Sequence, residues 1–257
     1  MAGYALVDGT RTWYDEHGDG KPLVLLHPGG AGVDARAFGP NLSALAAHFH
    51  VYTPERRGHG HTPDIAGPIT FDAMAQDTIG FLETVVGRPT HLLGCSDGAT
   101  VALLVALRRP DLIRRLILVA GVFHHEGWVP QAIDPDKQPP EFLARLYQEV
   151  SPDGAARYPV VVAKLARMHA AEPTLTASAL KGVESRTRVM VGDDDEVTLE
   201  HAIEMYRGLR DAELMVVPGT SHGLLVEKPD LCNSAILEFL TTDPVPTMAP
   251  IRRASGA

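Results

Sequence analysis

The sequence predicts an α/β protein with a mainly parallel central sheet and helices on both of its faces. Two observations lead to this class. Between Lys21 and Gly121, short apolar runs alternate with longer helix-like segments, which is typical of strands joined by helical crossovers. In addition, a Gly-x-Ser-x-Gly pentapeptide at 94–98 stands between an apolar run and a helix-like segment, which is the signature of a sharp strand-to-helix turn.

The individual elements are assigned in chain order. Residues 4–16 are expected to form a leading hairpin whose turn is Asp8-Gly9. Strands are predicted at about 22–27, 50–55, 90–95 and 114–120, and helices at about 38–48, 70–86 and 97–108. Two later apolar runs, at 187–191 and 213–217, are interpreted as further strands, with helix-like segments between them.

Ser96 is the predicted nucleophile. On a tight, strained turn its hydroxyl would project above the sheet, and side chains two positions away would collide, so Gly94 and Gly98 carry none. Cys95 is the alternative nucleophile, but a turn centred on it would need glycines at positions 93 and 97, which hold leucine and aspartate. We therefore interpret Cys95 as a small buried strand residue.

A serine hydroxyl is a weak nucleophile unless a histidine takes its proton and a carboxylate orients that histidine. Candidates for both follow predicted strands, in the order serine, acid, histidine. The acidic run Asp193-Asp194-Asp195-Glu196 comes after the strand at 187–191, and His222 comes after the strand at 213–217. The run itself leaves open which aspartate is used. Its contiguous aspartates lack the alternating ligand spacing of a calcium loop.

Four motifs, in this order along the chain, resemble those of the α/β-hydrolase superfamily, from about Lys21 to about Leu240. They are His27-Pro28-Gly29-Gly30, the pentapeptide at 94–98, Gly192-x-x-Asp195 and Gly219-x-x-His222-Gly223. The Gly-x-Ser-Asp-Gly form is similar to that of the small serine esterases that include the valacyclovir-hydrolase-like proteins. The resemblance implies the α/β-hydrolase fold with a helical cap insertion. It also favours Asp195 as the acid, with Asp194 next, because members usually show Gly-x-x-Asp after this strand.

The glycine-rich segment after the first buried strand is expected to help form an oxyanion hole. Backbone N–H groups aimed at the developing charge contribute roughly 3–4 kcal/mol each in acyl transfer. One donor should be the N–H of Asp97, at a helix N-terminus, and the second that of Gly29 or Gly30. Superfamily members usually have His-Gly here, whereas Pro28 offers no N–H, which shifts the expectation towards Gly29.

The regular alternation breaks after Gly121, where the superfamily carries its cap. We expect residues 1–121 and 182–240 to form the core, 122–181 a cap insertion with helices near 140–150 and 155–170, and 241–257 a mobile tail. Within the cap, His124, Trp128 and Tyr147 are the predicted substrate-binding residues. Further candidate pocket residues are His125, Phe142, Leu146 and Met168.

The composition argues against several classes of partner. A formal net charge of −9 disfavours nucleic acid and anionic membrane surfaces, and no apolar stretch is long enough to span a membrane. The start of the chain lacks a basic region and an apolar signal core, so a cytoplasmic location is expected. The pair His59-x-His61 lacks a third ligand at useful spacing, so we predict no metal. We also predict no cofactor, because the serine, histidine and aspartate with two backbone N–H groups supply every proton and charge that the reaction needs. The oligomeric state is left open.

The function expected from these features is that of a serine hydrolase that cleaves a small ester or related acyl compound through an acyl-enzyme. The same residues could serve a lactonase, thioesterase, C–C hydrolase, or perhydrolase or acyltransferase, because fold and triad do not choose among them. A hypothesis of another class is a small-molecule receptor with slow turnover. Steady multiple turnover would separate an enzyme from such a receptor.

Overall fold

A computed structural model of the protein describes residues 2–130, 132 and 139–250. Its described residues contain one eight-stranded sheet in the spatial order β1-β2-β4-β3-β5-β6-β7-β8. β1 and β2 pair antiparallel, β2 and β4 pair antiparallel, and all the other pairs are parallel. The strands are β1 Ala2–Val7, β2 Thr10–His17, β3 Lys21–Leu26, β4 Phe49–Pro54, β5 Thr90–Cys95, β6 Ile113–Val119, β7 Arg186–Gly192 and β8 Ala212–Val217.

Eight α-helices are present in the described part of the chain. They are α1 Gly39–Ala46, α2 Phe71–Phe81, α3 Asp97–Arg108, α4 Glu141–Val150, α5 Tyr158–His169, α6 Leu199–Gly208, α7 Leu224–Glu227 and α8 Pro229–Thr241. A π-helical turn, Leu82–Val86, extends α2. None of the helices found among the described residues has the length and apolar character needed to cross a membrane.

Local sequence explains where several of these elements begin and end. Asp8 and Gly9 both have positive φ, 46° and 83°, which suits the tight turn between two antiparallel strands. Thr70 caps α2 because its side chain accepts a hydrogen bond from the N–H of Ala73. Gly87 then ends the extended helix in the left-handed conformation.

The sheet buries a hydrophobic cluster on each face. Alternate residues of the central strands point to opposite sides: Leu92 belongs to the cluster beneath α2 and α3, whereas Leu93 belongs to the cluster beneath α1 and α8. Full burial of one such side chain stabilises the fold by about 1.5–3 kcal/mol. The double burial explains why these strands are apolar runs without alternation.

The predicted fold class is confirmed by this architecture. The leading hairpin, the helices and the parallel strands occur within a few residues of the predicted positions. α4 and α5 lie between β6 and β7, in the segment 122–181, which we call the cap segment. α8 ends at Thr241, and residues 251–257 of the predicted tail lie outside the described residues. The division into core and cap stays a prediction.

The parallel register brings the functional loops to one edge of the sheet. Leu26 of β3 pairs with Gly94 of β5, and Cys95 pairs with Val119 of β6. Because the carboxyl ends of β3, β5, β7 and β8 meet at this edge, the loops that follow them are neighbours. These loops carry the residues that the sequence selects as candidates for catalysis.

Candidate active site

Ser96 occupies a strained turn between β5 and α3. Its φ and ψ are 55° and −121°, a conformation that non-glycine residues rarely adopt. The turn is held by a hydrogen bond of 2.8 Å from the N–H of Ser96 to the carbonyl of Val119. A Cβ at Gly94 would lie 2.1 Å from the carbonyl oxygen of Gly98, and one at Gly98 would lie 2.1 Å from that of Leu26. Both glycines are therefore required by contacts with backbone that cannot move away.

Ser96, His222 and Asp195 form a continuous hydrogen-bonded chain. The Nε2 atom of His222 lies 2.9 Å from Oγ of Ser96, and its Nδ1 atom lies 2.7 Å from Oδ1 of Asp195. Asp195 is itself fixed, because its carboxylate accepts hydrogen bonds from the N–H groups of Gly192 and Val197. This is the geometry in which a serine hydroxyl can pass its proton to an oriented imidazole.

The other aspartates of the acidic run lie elsewhere. Asp193 accepts a hydrogen bond of 3.0 Å from the N–H of Thr220, so it braces the loop that leads to His222. Asp194 is exposed, and its N–H donates to the carbonyl of Thr220. Of the three aspartates, Asp195 is the one that the structure brings to His222.

The carboxylate of Asp195 makes the imidazole of His222 easier to protonate. Burial opposes ionisation of both groups, but the hydrogen bond and the charge attraction between them outweigh it. The pKa of His222 is therefore raised above its ordinary value of 6.5, and the pKa of Asp195 is held below its ordinary value of 3.8. Cys95 has no partner that favours its ionised form to this extent, and burial raises the pKa of its thiol to about 12.

Gly29, Gly30 and Asp97 lie beside Ser96, where the sequence predicts an oxyanion hole. Asp97 is the first residue of α3, and a Cβ on Gly29 would lie 1.8 Å from its Oδ2 atom. Gly30 has a φ of 98°. Within the described ranges, none of the three backbone N–H groups donates to a protein acceptor, which leaves each of them able to bind a ligand oxygen.

Arg56, which no sequence motif marks as a site residue, holds this glycine-rich loop. Its side chain is buried, and it donates a hydrogen bond of 2.9 Å to the carbonyl of Pro28. Its backbone N–H donates to Nε2 of His27, while Nδ1 of His27 donates to the carbonyl of Pro28 at 2.7 Å. A buried arginine whose terminal nitrogens donate to the carbonyls of His27 and Pro28 fixes the position of the loop.

A second such residue is His169, at the end of α5. Its Nε2 atom lies 2.9 Å from both carboxylate oxygens of Asp97. Asp97 is 2% exposed, and a fully buried carboxylate needs a charged or hydrogen-bonding partner. An aspartate at the start of a buried helix therefore predicts a partner. It does not identify which of the 12 histidines in the chain is that partner.

A cavity of about 940 Å³ opens above Ser96 between the sheet edge and the cap segment. Its wall is apolar or glycine, apart from seven polar side chains, those of Asp34, Arg36, Ser96, Asp97, His169, Glu196 and His222. The larger apolar contributors are Trp128, Phe142, Leu143, Leu146, Val162 and Leu165. This volume and lining are typical of a site for a small organic ligand.

The three predicted substrate-binding residues divide into two groups. Trp128 lines the cavity, and its ring meets His222 edge-on with centroids 5.6 Å apart. Tyr147 is instead buried against Tyr158, and His124 stacks on His125 with centroids 4.6 Å apart. Neither Tyr147 nor His124 is part of the cavity wall.

His59 and His61 do not converge on a common point. His59 is buried, and burial together with the neighbouring Arg56 lowers its pKa to about 4. His61 stacks on Trp13 and hydrogen-bonds to Glu55. Among the residues that the structure describes, no group of three or more His, Cys, Asp or Glu side chains is arranged to hold a metal ion.

Comparison with known proteins gives several full-length relatives. The (E)-2-((N-methylformamido)methylene)succinate hydrolase of Acinetobacter baylyi is 26% identical over 90% of this chain and 94% of its own length. A putative carbamate hydrolase of Caulobacter segnis is 24% identical over 88% and 95%. Human serine hydrolase BPHL is 34% identical, but over only 44% of this chain and 40% of its own length.

Solved structures show the same fold. A mutant of the meta-cleavage product hydrolase CumD from Pseudomonas fluorescens superposes with a TM-score of 0.81 at 20% identity, covering 93% of this chain and 97% of its own. The enol-lactonase of Burkholderia xenovorans gives 0.74 at 25% identity, with 93% and 100% coverage. A family model described as the alpha/beta hydrolase family matches residues 23–235. The chain belongs to this family of hydrolases.

Proposed function

We propose that this protein is a serine hydrolase that cleaves a small, largely apolar ester or related acyl compound through an acyl-enzyme. The observation that carries the proposal is the hydrogen-bonded chain from Ser96 Oγ through His222 to Asp195. It lies at a cavity of about 940 Å³ that the cap segment helps to line and that can hold a compound of modest size.

The first half of the reaction forms a covalent intermediate. Oγ of Ser96 attacks the carbonyl carbon, and its proton passes to Nε2 of His222. The carbonyl oxygen becomes negative and accepts hydrogen bonds from the N–H of Asp97 and from Gly29 or Gly30. The tetrahedral intermediate then collapses, the bond to the leaving group breaks, and His222 returns its proton to that group.

The second half releases the acid. A water molecule gives a proton to His222 as its oxygen attacks the acyl carbon, and a second oxyanion forms in the same place. Collapse frees the acid and returns the proton from His222 to Ser96. Asp195 stays ionised throughout, because its role is to orient and stabilise the imidazolium.

The relatives leave the type of scissile bond open. Their names include a carbamate hydrolase, an enol-lactonase and a meta-cleavage product hydrolase. We favour an ester because the apolar walls suit a hydrocarbon acyl group and the site offers all the groups that ester hydrolysis needs. Lactones, thioesters and C–C bonds are the alternative substrates for the same residues.

The test is a panel of p-nitrophenyl esters of increasing acyl length, lactones and thioesters, compared by kcat/KM. The wild-type protein should show steady multiple turnover on at least one ester, with or without EDTA. Ser96→Ala should lose about 10⁶ in kcat and all labelling by a fluorophosphonate, while its melting temperature stays near that of the wild type. A single turnover followed by arrest would favour a receptor, and activity retained by Ser96→Ala would contradict the proposal.

Cys95→Ala is the matched control for the nucleophile. Cys95 lies next to Ser96 in the chain but is buried, and its thiol pKa of about 12 leaves it unionised at neutral pH. Its replacement should therefore leave fluorophosphonate labelling intact.

A further inference from the structure

A buried carboxylate lies beside the candidate oxyanion site. The side chain of Asp97 is packed so closely against Gly29 that a Cβ there would lie 1.8 Å from Oδ2, and the N–H of Asp97 is itself a candidate donor. During acyl transfer, negative charge develops on the oxygen that these N–H groups bind. An uncompensated carboxylate here would repel that charge, in surroundings where water screens little.

His169 is placed to compensate this charge. It is the last residue of α5, it forms part of the cavity wall, and its Nε2 atom lies 2.9 Å from both oxygens of Asp97. Burial alone would lower the pKa of His169, but the charge and the hydrogen bond of Asp97 outweigh it and raise that pKa above 6.5. The pairing therefore favours an imidazolium facing a carboxylate.

The groups around the pair include His222, whose pKa the charge of Asp97 also raises, and residues of two other elements. Arg56 and His59 belong to the loop after β4; the charge of Arg56 favours ionised Asp97 and opposes protonation of His169. His59 is neutral, because burial lowers its pKa to about 4. From α2, the ring of Phe71 lies 6.2 Å from that of His169 and carries no charge. His169 is thus the titratable group that hydrogen-bonds to Asp97 and can carry a positive charge.

We propose, on the basis of the serine-hydrolase function above, that His169 is a positioning residue for acyl transfer. As an imidazolium, it neutralises Asp97 and holds the start of α3, so that the N–H of Asp97 meets the developing oxyanion without a competing negative charge. His169 acts through Asp97, and no proton or covalent bond passes between it and the substrate.

This arrangement gives two histidines with opposite requirements. His222 must be neutral to accept the proton of Ser96, whereas His169 must be protonated to neutralise Asp97. The proposal requires His169 to lose its proton at a higher pH than His222, so activity should rise with pH as His222 loses its proton and fall again as His169 loses its own. The alkaline limb of the profile belongs to His169, and it should disappear when Asp97 no longer carries a charge.

The experiment compares four purified variants on the best p-nitrophenyl ester from the panel. His169→Gln removes the cation that contacts Asp97 directly and should lower kcat by about 10- to 100-fold, with little change in KM and without the alkaline limb. Asp97→Asn and the double variant Asp97→Asn/His169→Gln remove the negative charge. These two variants should have kcat values within about threefold of each other, because His169 has no charge to neutralise when position 97 is asparagine, and both should lack the alkaline limb.

Lys164→Gln is the matched control. Lys164 also belongs to α5 and pairs with a buried core carboxylate, that of Asp64, at 2.7 Å. Asp64 keeps Arg157 as a partner and is not part of the cavity wall. The control should retain wild-type kcat and the alkaline limb, which separates loss of a cap-to-core ion pair from loss of charge at the oxyanion site.

Three results would overturn the inference. They are a double variant at least tenfold slower than Asp97→Asn, a wild-type alkaline limb in Asp97→Asn, and an unchanged kcat in His169→Gln. Melting curves identify a variant that does not fold, and Asp97→Asn then carries the test through its pH profile. Activity retained by Ser96→Ala would count against the proposed function instead, so the two failures are distinguishable.

Discussion

Gly29 and Asp97 are in such close contact that position 29 has no space for a side chain. A Cβ built on Gly29 would lie 1.8 Å from Oδ2 of Asp97 and 2.3 Å from Cγ. The carboxylate cannot swing away, because it is buried and hydrogen-bonded to His169 through both oxygens. The loop after β3 and the start of α3 are therefore held together at a contact between a glycine and a carboxylate.

Gly29→Ala should move one of these two segments and so misplace an oxyanion donor. We expect kcat on the best ester to fall by about 10²–10³, the cost of one lost donor, with a smaller change in KM. Gly39→Ala is the control, since a Cβ there meets no atom within 4 Å. Wild-type kcat in Gly29→Ala would show that the contact does not position the donors.

Much of the fold follows from local sequence signals. The alternation of apolar runs and helical segments predicts the parallel sheet because strands buried on both faces must be apolar throughout. Ser96, Asp195 and His222 are identifiable because each follows a strand, and a parallel sheet brings such positions to one edge. The glycines at 94 and 98 are identifiable because the turn allows no other residue.

Other features of the site depend on packing between distant segments. His169 and Arg56 are invisible as site residues in the sequence because nothing local marks a side chain that satisfies a buried group far along the chain. Tyr147 has the residue type of a pocket wall, yet the rotation of α4 turns it towards Tyr158, whereas Leu146 beside it lines the cavity. The orientation of a helix on its support is set by tertiary contacts.

Asp195→Asn should impair catalysis much more than the same change at its neighbours. An asparagine cannot stabilise the imidazolium of His222 and would favour the wrong tautomer, so kcat should fall by about 10⁴. Asp194→Asn is the matched control, because Asp194 is exposed and does not contact His222. Steady-state kinetics on one ester measures both, and a larger loss at Asp194 would move the assignment by one residue.

The pH dependence of kcat/KM should report His222 on the acid side. Burial lowers its pKa, but Asp195 raises it further than burial lowers it, so the acid limb should have its midpoint above 6.5. Only the neutral imidazole can accept the proton of Ser96, so the rate must rise with pH through this midpoint. In Asp195→Asn, the residual activity should show the acid limb at lower pH. An unchanged midpoint would mean that the acid limb does not report the His222–Asp195 pair.

A further prediction concerns stability in acid, far from the site. His91, near the start of β5, is 4% exposed, and its Nδ1 has no partner among the described residues. Burial, helped by Arg114, Arg115 and Lys21, lowers its pKa to about 4. Between pH 4 and 6.5 the unfolded chain therefore binds a proton at this position that the folded protein does not, so the free energy of unfolding falls as the pH falls.

His91→Leu should remove this contribution, because leucine has no proton to bind and suits the apolar surroundings next to Phe49. Urea unfolding at pH 7.5 and pH 5.0 measures the effect. The wild type should lose on the order of 1–2 kcal/mol more than the variant between these two values. His27, His59 and His201 are also buried with lowered pKa values, so both proteins should remain acid-sensitive and only the difference between them is diagnostic.

His48→Leu, at an exposed position, controls for the loss of a histidine as such. An equal loss of stability in the wild type and His91→Leu would mean that His91 is protonated in the folded protein at pH 5.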